Sequence, residues 1–533
     1  KLIQEPHVSI PKAAEQKAFA SRARRNLIGD FLVRAARKHR HKIALRFLDR
    51  EWSFTALDIA SARIAHHLAQ RGFGKGDCIV AFGKNSDAYY LFWLACTRSG
   101  IIHVPANYAL KPAELAYVIR QSDACGLVYD AALSETIESL SGEIQEIQTL
   151  LFGRAAGEEG SILDAALAEE GFTHFDCPDL QATDICQLLY TSGTTGDPKG
   201  AMMTHEALIA EYVACMVECE YAEQDICLAA LPFYHSAQMH AFTTPQLLVG
   251  ATTRILEDPE PGKVLRMIEE EAITSFFAPP TVWINLLRHP DQKGRNLDSL
   301  QKLYYGAAIM PEPALRELAE RLPQAGLFNC YGQSEIAPVA TVLKPAEHVQ
   351  RPTSAGRPIL SVETRVVNES MQDAAPGEQG EIVHRSAQLL VGYWGKPTDT
   401  EEAFVGDWFH SGDVGYFDDA GYLYIVDRIK DVINTGGVLV ASREIEDVLM
   451  RHPAVSEAAV IALPDEKWIE AVSAVIVLRA GAECSREELV VHAAEVLAKF
   501  KVPKHVFFTN QLPRNTAGKI LKRRLRDQYS KQL

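Results

Sequence analysis

Apolar positions along this chain recur at two spacings, and the spacings alternate. Residues Ala56 to Ala69 carry apolar side chains at the three- and four-residue steps of a helix. The turn Gly72-Phe73-Gly74-Lys75-Gly76-Asp77 follows, then Cys78-Ile79-Val80-Ala81-Phe82, an apolar run of strand length. Ser86 is placed to cap a helix over Asp87 to Arg98. Pro112 suits the first turn of another that ends near Ser122. Gly126-Leu127-Val128-Tyr129 reads as a strand, Ile185 to Leu189 as a further one, and Glu206 to Val217 as an amphipathic helix. Such alternation predicts mostly parallel sheets covered by helices on both faces, an α/β fold. The acidic stretch Gly157 to Asp176 is expected to be a surface excursion.

The pattern changes near residue 427. Upstream, Gly415 to Val426 reads as a hairpin turning at Asp418-Asp419-Ala420-Gly421. Downstream, Ser442 to His452 reads as a helix, with Ala458 to Ala462 and Ala471 to Leu478 as strands, a compact α+β pattern ending in basic residues from Lys519 to Arg526. The charged joint Asp427-Arg428-Ile429-Lys430-Asp431 is the expected boundary. The predicted division is residues 1–426, a hinge at 427–431, and a C-terminal part over 432–533.

A chain of 533 residues exceeds what one core usually supports, so two or more domains are expected. It contains no apolar run of about 18 residues, so no transmembrane helix is expected. Lys1 to Pro6 lacks a charged-then-apolar leader pattern, and a cytoplasmic location is expected. The ten cysteines show no metal-type spacing and read as reduced thiols. A net charge of −15 disfavours nucleic acid as a partner. A peripheral membrane contact and a homodimer are left open.

Chemistry concentrates first in Tyr190-Thr191-Ser192-Gly193-Thr194-Thr195-Gly196-Asp197-Pro198-Lys199-Gly200. Glycines let backbone N–H groups approach an anion, and hydroxyls and a lysine add donors that suit phosphate. The run reads as a phosphate grip, but not as a Walker A loop, because Pro198 precedes Lys199 and Gly200 follows it. Further along stand Gly306-Ala307-Ala308, Tyr331-Gly332-Gln333-Ser334-Glu335, His410-Ser411-Gly412-Asp413, Asp427-Arg428 and Leu512 to Lys522. An aromatic ring can stack on a base, a glutamate can ligate magnesium through oxygen, and an aspartate can accept hydrogen bonds from ribose hydroxyls.

Taken in order, these patches resemble the signature of the adenylate-forming superfamily, which holds acyl-CoA synthetases, peptide-synthetase adenylation domains and luciferases. The likeness spans Asn26 to Tyr529 and is greatest to acyl-CoA synthetases of the fatty-acid type. It implies a large N-terminal domain of helix-covered, mostly parallel sheets with a small barrel-like subdomain, and a small mobile α+β C-terminal domain. It implies ATP, Mg²⁺ and CoA as cofactor and co-substrates. Thr191, Ser192, Gly193, Thr194, Thr195, Gly196 and Lys199 would grip the phosphates. Gly306, Ala307 and Ala308 would lie along the adenine, although small residues also permit tight packing without a ligand. Tyr331, with Gly332, Gln333 and Ser334, would pack on the base. Asp413 and Arg428 would meet the ribose, and Gly436 and Gly437 would join the nucleotide site. Glu335, with Thr194, would hold the metal. Lys519 would be the catalytic lysine and Lys430 the pivot about which the small domain turns.

The implied reaction is activation of a medium- to long-chain fatty acid to acyl-AMP with release of pyrophosphate, then transfer to CoA. Leu231 to His240 resembles the family's acid-pocket patch. It carries no carboxylate for a substrate amine, which disfavours an amino acid. His235 either borders the pocket or holds a turn; Met239, Phe242 and Val339, with Gly306, either line an apolar channel or belong to the core. Two departures stand out. Relatives usually read Gly-Gly-Glu-Asn-Val where this chain has Gly436-Gly437-Val438-Leu439-Val440, and they have a glycine within the string that here runs Asp465 to Glu470 and includes Ile469. These changes either repack or close the route by which CoA enters; the repacked, open route is the expectation. The alternative is an adenylating enzyme that delivers its acyl group to a carrier protein or an amine. Asn434 stands where luciferases carry a lysine, which disfavours an oxygenase, and the presence of Lys519 and Glu335 disfavours a non-catalytic binding protein.

Overall fold

The computed structural model describes residues 23–140, 142, 144–155, 157–168, 172–191, 197–308, 310–429, 431–435, 438–465, 468–514 and 520–532. Two large sheets form its body. One has six strands in the order Gln148–Leu151, Gly126–Tyr129, Cys78–Phe82, Ile102–Ala106, Ile185–Thr191 and Lys199–Thr204. Its pairs are parallel except the last, which is antiparallel. The other has nine strands, parallel from Gly326–Tyr331 across to Ile43–Phe47, with antiparallel strands at both edges. The alternation of strand and helix in the sequence is the cause, since parallel neighbours need a crossover.

The helix Asp87–Ser99 has every residue buried. It is apolar or aromatic around most of its girth, as a helix covered on all sides must be. Ser86 caps it by accepting from the Tyr89 amide. The helices Phe54–Gln70, Pro112–Gln121 and His205–Glu218 lie within two residues of their expected ends.

The stretch Gly157 to Asp176 departs from expectation. It is not simply a surface excursion. Ser161 caps a short helix, Ile162–Leu167, whose Ile162 and Leu163 are fully buried against the helix Phe54–Gln70. Three buried residues, Ile162, Leu163 and Ala166, suffice to pin an otherwise acidic segment to the core.

Beyond the large sheets, Val362–Val367, Gly380–Ser386, Phe404–Val405, Trp408–Phe417 and Leu423–Arg428 make an antiparallel half-barrel. The hairpin joining its last two strands turns at Asp418, whose Oδ1 accepts from the amides of Ala420 and Tyr422. The C-terminal part is α+β. Its sheet orders Val438–Val440, Ile433–Thr435, Ile469–Leu478 and Val455–Asp465, with His505–Phe508 also beside Ile469–Leu478. Among the described residues no helix is long and apolar enough to cross a membrane.

Candidate active site

Ligands of open parallel sheets bind beyond the carboxyl ends of the strands, and Thr191, Tyr331 and Glu335 lie there. Thr191 closes the strand Ile185–Thr191, and Lys199 opens the next strand directly opposite it in register. Ser192, Gly193, Thr194, Thr195 and Gly196, which connect them, lie outside the described residues. Glu335 follows the strand Gly326–Tyr331 of the other sheet. The two sheets meet chemically at this point, because the Thr191 hydroxyl donates to Glu335 Oε1 at 3.0 Å.

Tyr393, which the sequence reading did not single out, completes the group. Its hydroxyl donates to the same Glu335 oxygen at 3.3 Å, and the Lys199 ammonium lies 5.3 Å from its ring centroid. Burial, then the Glu335 charge, pushes the Tyr393 phenol up, so it stays a donor. Asp399 pairs with Lys199. The signal available in the sequence was weak: a tyrosine between Gly392 and Gly395 looks like an ordinary turn.

Tyr331, Asp413 and Arg428 form a second group. The Tyr331 hydroxyl donates to Asp413 Oδ2 at 2.8 Å, and Arg428 Nε lies 3.1 Å from Asp413 Oδ1. Asp413 and Arg428 face each other in register on the half-barrel hairpin. Gly332 cannot be replaced without conflict, since a Cβ there would lie 2.0 Å from the Pro338 carbonyl oxygen, at φ +157°. Beside Gln333, the Ser334 hydroxyl is 2.8 Å from that of Ser236. Gly306 has a packing cause of its own, because a Cβ would stand 2.2 Å from the Cys330 carbonyl oxygen on the neighbouring strand. Ala307 and Ala308 beyond it are exposed, and Ala307 takes φ +62°, rare for a residue with a side chain.

Most of the expected acid-pocket residues follow the strand Ile226–Ala229. The segment Ala237–Thr243 is a wide, π-type turn of helix, a form often found at functional sites. Met239 is buried, and its sulfur accepts from Gln187 Nε2 at 3.5 Å. Phe242 lies flat on Phe277, with ring centroids 4.1 Å apart, and Tyr304 backs it at 5.1 Å. The Val339 amide donates to Glu211 Oε1 at 3.2 Å. His235 is half-buried beside Tyr234. Met239, Phe242 and Val339 thus all sit in packed core clusters.

Lys430, Gly436, Gly437 and Lys519 lie outside the described residues. Val438 is 45% and Ile469 is 62% exposed, so neither packs into the core. Ile469 pairs with Thr435 and takes φ +68°, a strained value for a β-branched residue. The Glu335 carboxylate suits a hard cation such as magnesium, which usually takes one or two carboxylates and substrate phosphates.

Two helix-covered sheets, an antiparallel half-barrel and an α+β C-terminal part define the architecture of adenylate-forming enzymes. Residues 32–394 match the family described as AMP-binding enzyme, and residues 444–519 match its C-terminal domain. Over 506 residues the chain is 36% identical to a feruloyl-CoA synthase of an Amycolatopsis species, covering 94% of this chain and 99% of that one. It is 32% identical to a medium/long-chain-fatty-acid–CoA ligase of Mycobacterium tuberculosis, covering 94% and 90%. The solved structure of an anthranilate CoA ligase with anthranoyl-AMP superposes with a TM-score of 0.88 at 25% identity, covering 95% and 97%. The chain belongs to the AMP-binding enzyme family, among its acid–CoA ligases.

Proposed function

We propose that the protein joins a carboxylic acid to CoA in two halves, with Thr191, Glu335, Lys199, Tyr331, Asp413 and Arg428 as its nucleotide site. The observation that carries the reading is the Thr191–Glu335 hydrogen bond, which ties the expected phosphate grip to the expected metal ligand across two sheets. A carboxylic acid with pKa near ~4.5 is ionised at neutral pH and needs no general base. Its oxygen attacks the α-phosphorus of ATP, and the bond to pyrophosphate breaks. The difficulty is that anion meets anion, so fixed donors and positive charge must do the work. In this reading Thr191 and Lys199 hold the departing pyrophosphate, and Lys519 bridges the carboxylate and α-phosphate. Asp413 and Arg428 hold the ribose, while Tyr331 and the ledge Gly306-Ala307-Ala308 hold the adenine. Glu335, with Thr194, is the proposed magnesium ligand, and the ion would offset the triphosphate charge. In the second half the CoA sulfur attacks the acyl carbon and AMP leaves. Lys430, in the hinge 427–431, is the proposed pivot between residues 1–426 and 432–533.

Two acid classes compete. The mycobacterial relative and the apolar residues near His235 favour a medium- to long-chain fatty acid. The Amycolatopsis relative favours a compact aryl acid of the ferulate kind. The Amycolatopsis relative, with its higher identity, is the ground for preferring the compact acid. The test is a panel of arylpropenoic acids and fatty acids, with pyrophosphate and acyl-CoA measured separately. Faster pyrophosphate release with the aryl acids is expected; a preference for fatty acids would reverse the order. Pyrophosphate without acyl-CoA would favour delivery to a carrier protein or an amine.

A further inference from the structure

Lys199 is held from two sides. Its ammonium pairs with the Asp399 carboxylate and lies over the Tyr393 ring. The hold is built into the backbone. The chain around Tyr393 is laid along the strand that Lys199 opens: the Met202 amide donates to the Gly392 carbonyl, the Val391 amide to the Met202 carbonyl, and the Trp394 amide to the Gly200 carbonyl. The next helix, Pro397–Ala403, is fastened to this segment because the Tyr393 amide donates to Thr400 Oγ1 at 2.9 Å. Thr400 follows Asp399 directly, so the carboxylate is carried to Lys199 by a fixed scaffold and not by a loose surface chain. Both partners keep some access to solvent, with side-chain exposures of 22% and 28%.

We propose that Asp399 is a positioning residue that sets how tightly pyrophosphate is held. Before the nucleotide binds, it holds Lys199 at the start of the strand Lys199–Thr204. Once pyrophosphate has formed, it competes for the same ammonium and adds a negative charge beside the leaving anion. This rests on the reading that Lys199 grips the phosphates. Two opposing effects follow from removing the carboxylate. Lys199 loses a partner that orders it, which weakens binding; the phosphates lose a competitor and a like charge, which strengthens it. The second prevails, because the Tyr393 ring still holds the lysine from the other side.

The experiment is calorimetric binding of pyrophosphate with magnesium to the full chain. Asp399→Asn keeps the side-chain shape and is expected to bind about fivefold tighter than wild type, the scale of a partly exposed charge pair. Asp399→Glu should stay close to wild type, and Lys199→Ala should bind more weakly. In turnover, Asp399→Asn should show stronger product inhibition by pyrophosphate with the KM for the acid unchanged, which a merely structural role would not produce. Should Asp399→Asn melt early, Asp399→Ser carries the same expectation. Unchanged or weaker pyrophosphate binding in the Asp399 variants, with Lys199→Ala weakened, overturns the proposal and leaves the lysine's role standing. Unchanged binding in Lys199→Ala overturns both.

Discussion

Ser442 donates both its amide and its hydroxyl to one oxygen of Asp427, each at 2.7 Å. The hydroxyl also accepts from Lys522 Nζ at 2.6 Å, and Lys522 lies 2.8 Å from Glu446 Oε1. Asp427 precedes the proposed pivot, whereas Ser442, Glu446 and Lys522 follow it, so a turn of the small domain about residue 430 would break the bonds to Asp427. Asp427→Ala is expected to cost about 2 kcal/mol, because it strands buried donors. It should also change the two half-reactions unequally, read by pyrophosphate release and by thioester formation from supplied acyl-AMP. Equal loss in both would assign the bonds to folding alone.

Glu335→Gln preserves an acceptor for the Thr191 hydroxyl, so the fold should stand. Adenylation should nevertheless fall by roughly 100- to 1000-fold, the scale of a lost charged contact at a transition state. Pyrophosphate release measured across a magnesium titration checks it. An unchanged rate and an unchanged magnesium dependence would remove Glu335 from the site.

Ile469 combines φ +68° with 62% exposure. Ile469→Gly should relieve the backbone strain and raise stability by up to about 1 kcal/mol, after the entropy cost of glycine. With an open CoA route, acyl-CoA formation by this variant should match wild type. A large gain in thioester formation without a gain in adenylation would show that Ile469 obstructs the route.

Burial pushes His103 and His240 down to about 3. They lie on one buried chain, in which Tyr212 Oη is 2.8 Å from His240 Nδ1, His240 Nε2 is 2.6 Å from Gln187 Oε1, and Gln187 Nε2 is 2.9 Å from His103 Nδ1. Unfolding frees both rings to bind protons below about pH 6.5. The unfolded state then binds more protons than the folded one, so stability is full above about 6.5 and falls as the pH drops toward 3. Denaturant melts at several pH values should show a fall of up to about 1.4 kcal/mol per pH unit for each histidine. His240→Gln should reduce that slope by one proton, and an unaltered slope would contradict the assignment.

The family was legible because its patches are local strings of special residues, and the helix-covered parallel sheets followed from spacing alone. Tyr393 and Asp399 were not legible, since their meaning lies in contacts with Glu335 and Lys199, distant in sequence, and neither residue type is unusual in a turn. The helix Ile162–Leu167 was missed because six residues are too few to establish a period. Gly306 looked like a ligand position, but the approach of the Cys330 carbonyl supplies a packing reason that no single strand reveals. Ile469 was noticed as a departure from the family's glycine; that it also carries the left-handed backbone of a glycine required the structure.

In the proposed function the chain adenylates a compact carboxylic acid and then passes it to CoA. The most direct test incubates the full chain with ATP, magnesium and ferulate, or a C12 fatty acid of matched concentration, with and without CoA, and follows pyrophosphate and thioester together. Pyrophosphate release is expected to depend on the acid, to be faster with ferulate, and to be matched by acyl-CoA when CoA is present. Faster release with the fatty acid, pyrophosphate without acyl-CoA, or release that does not depend on the acid would overturn the proposed function.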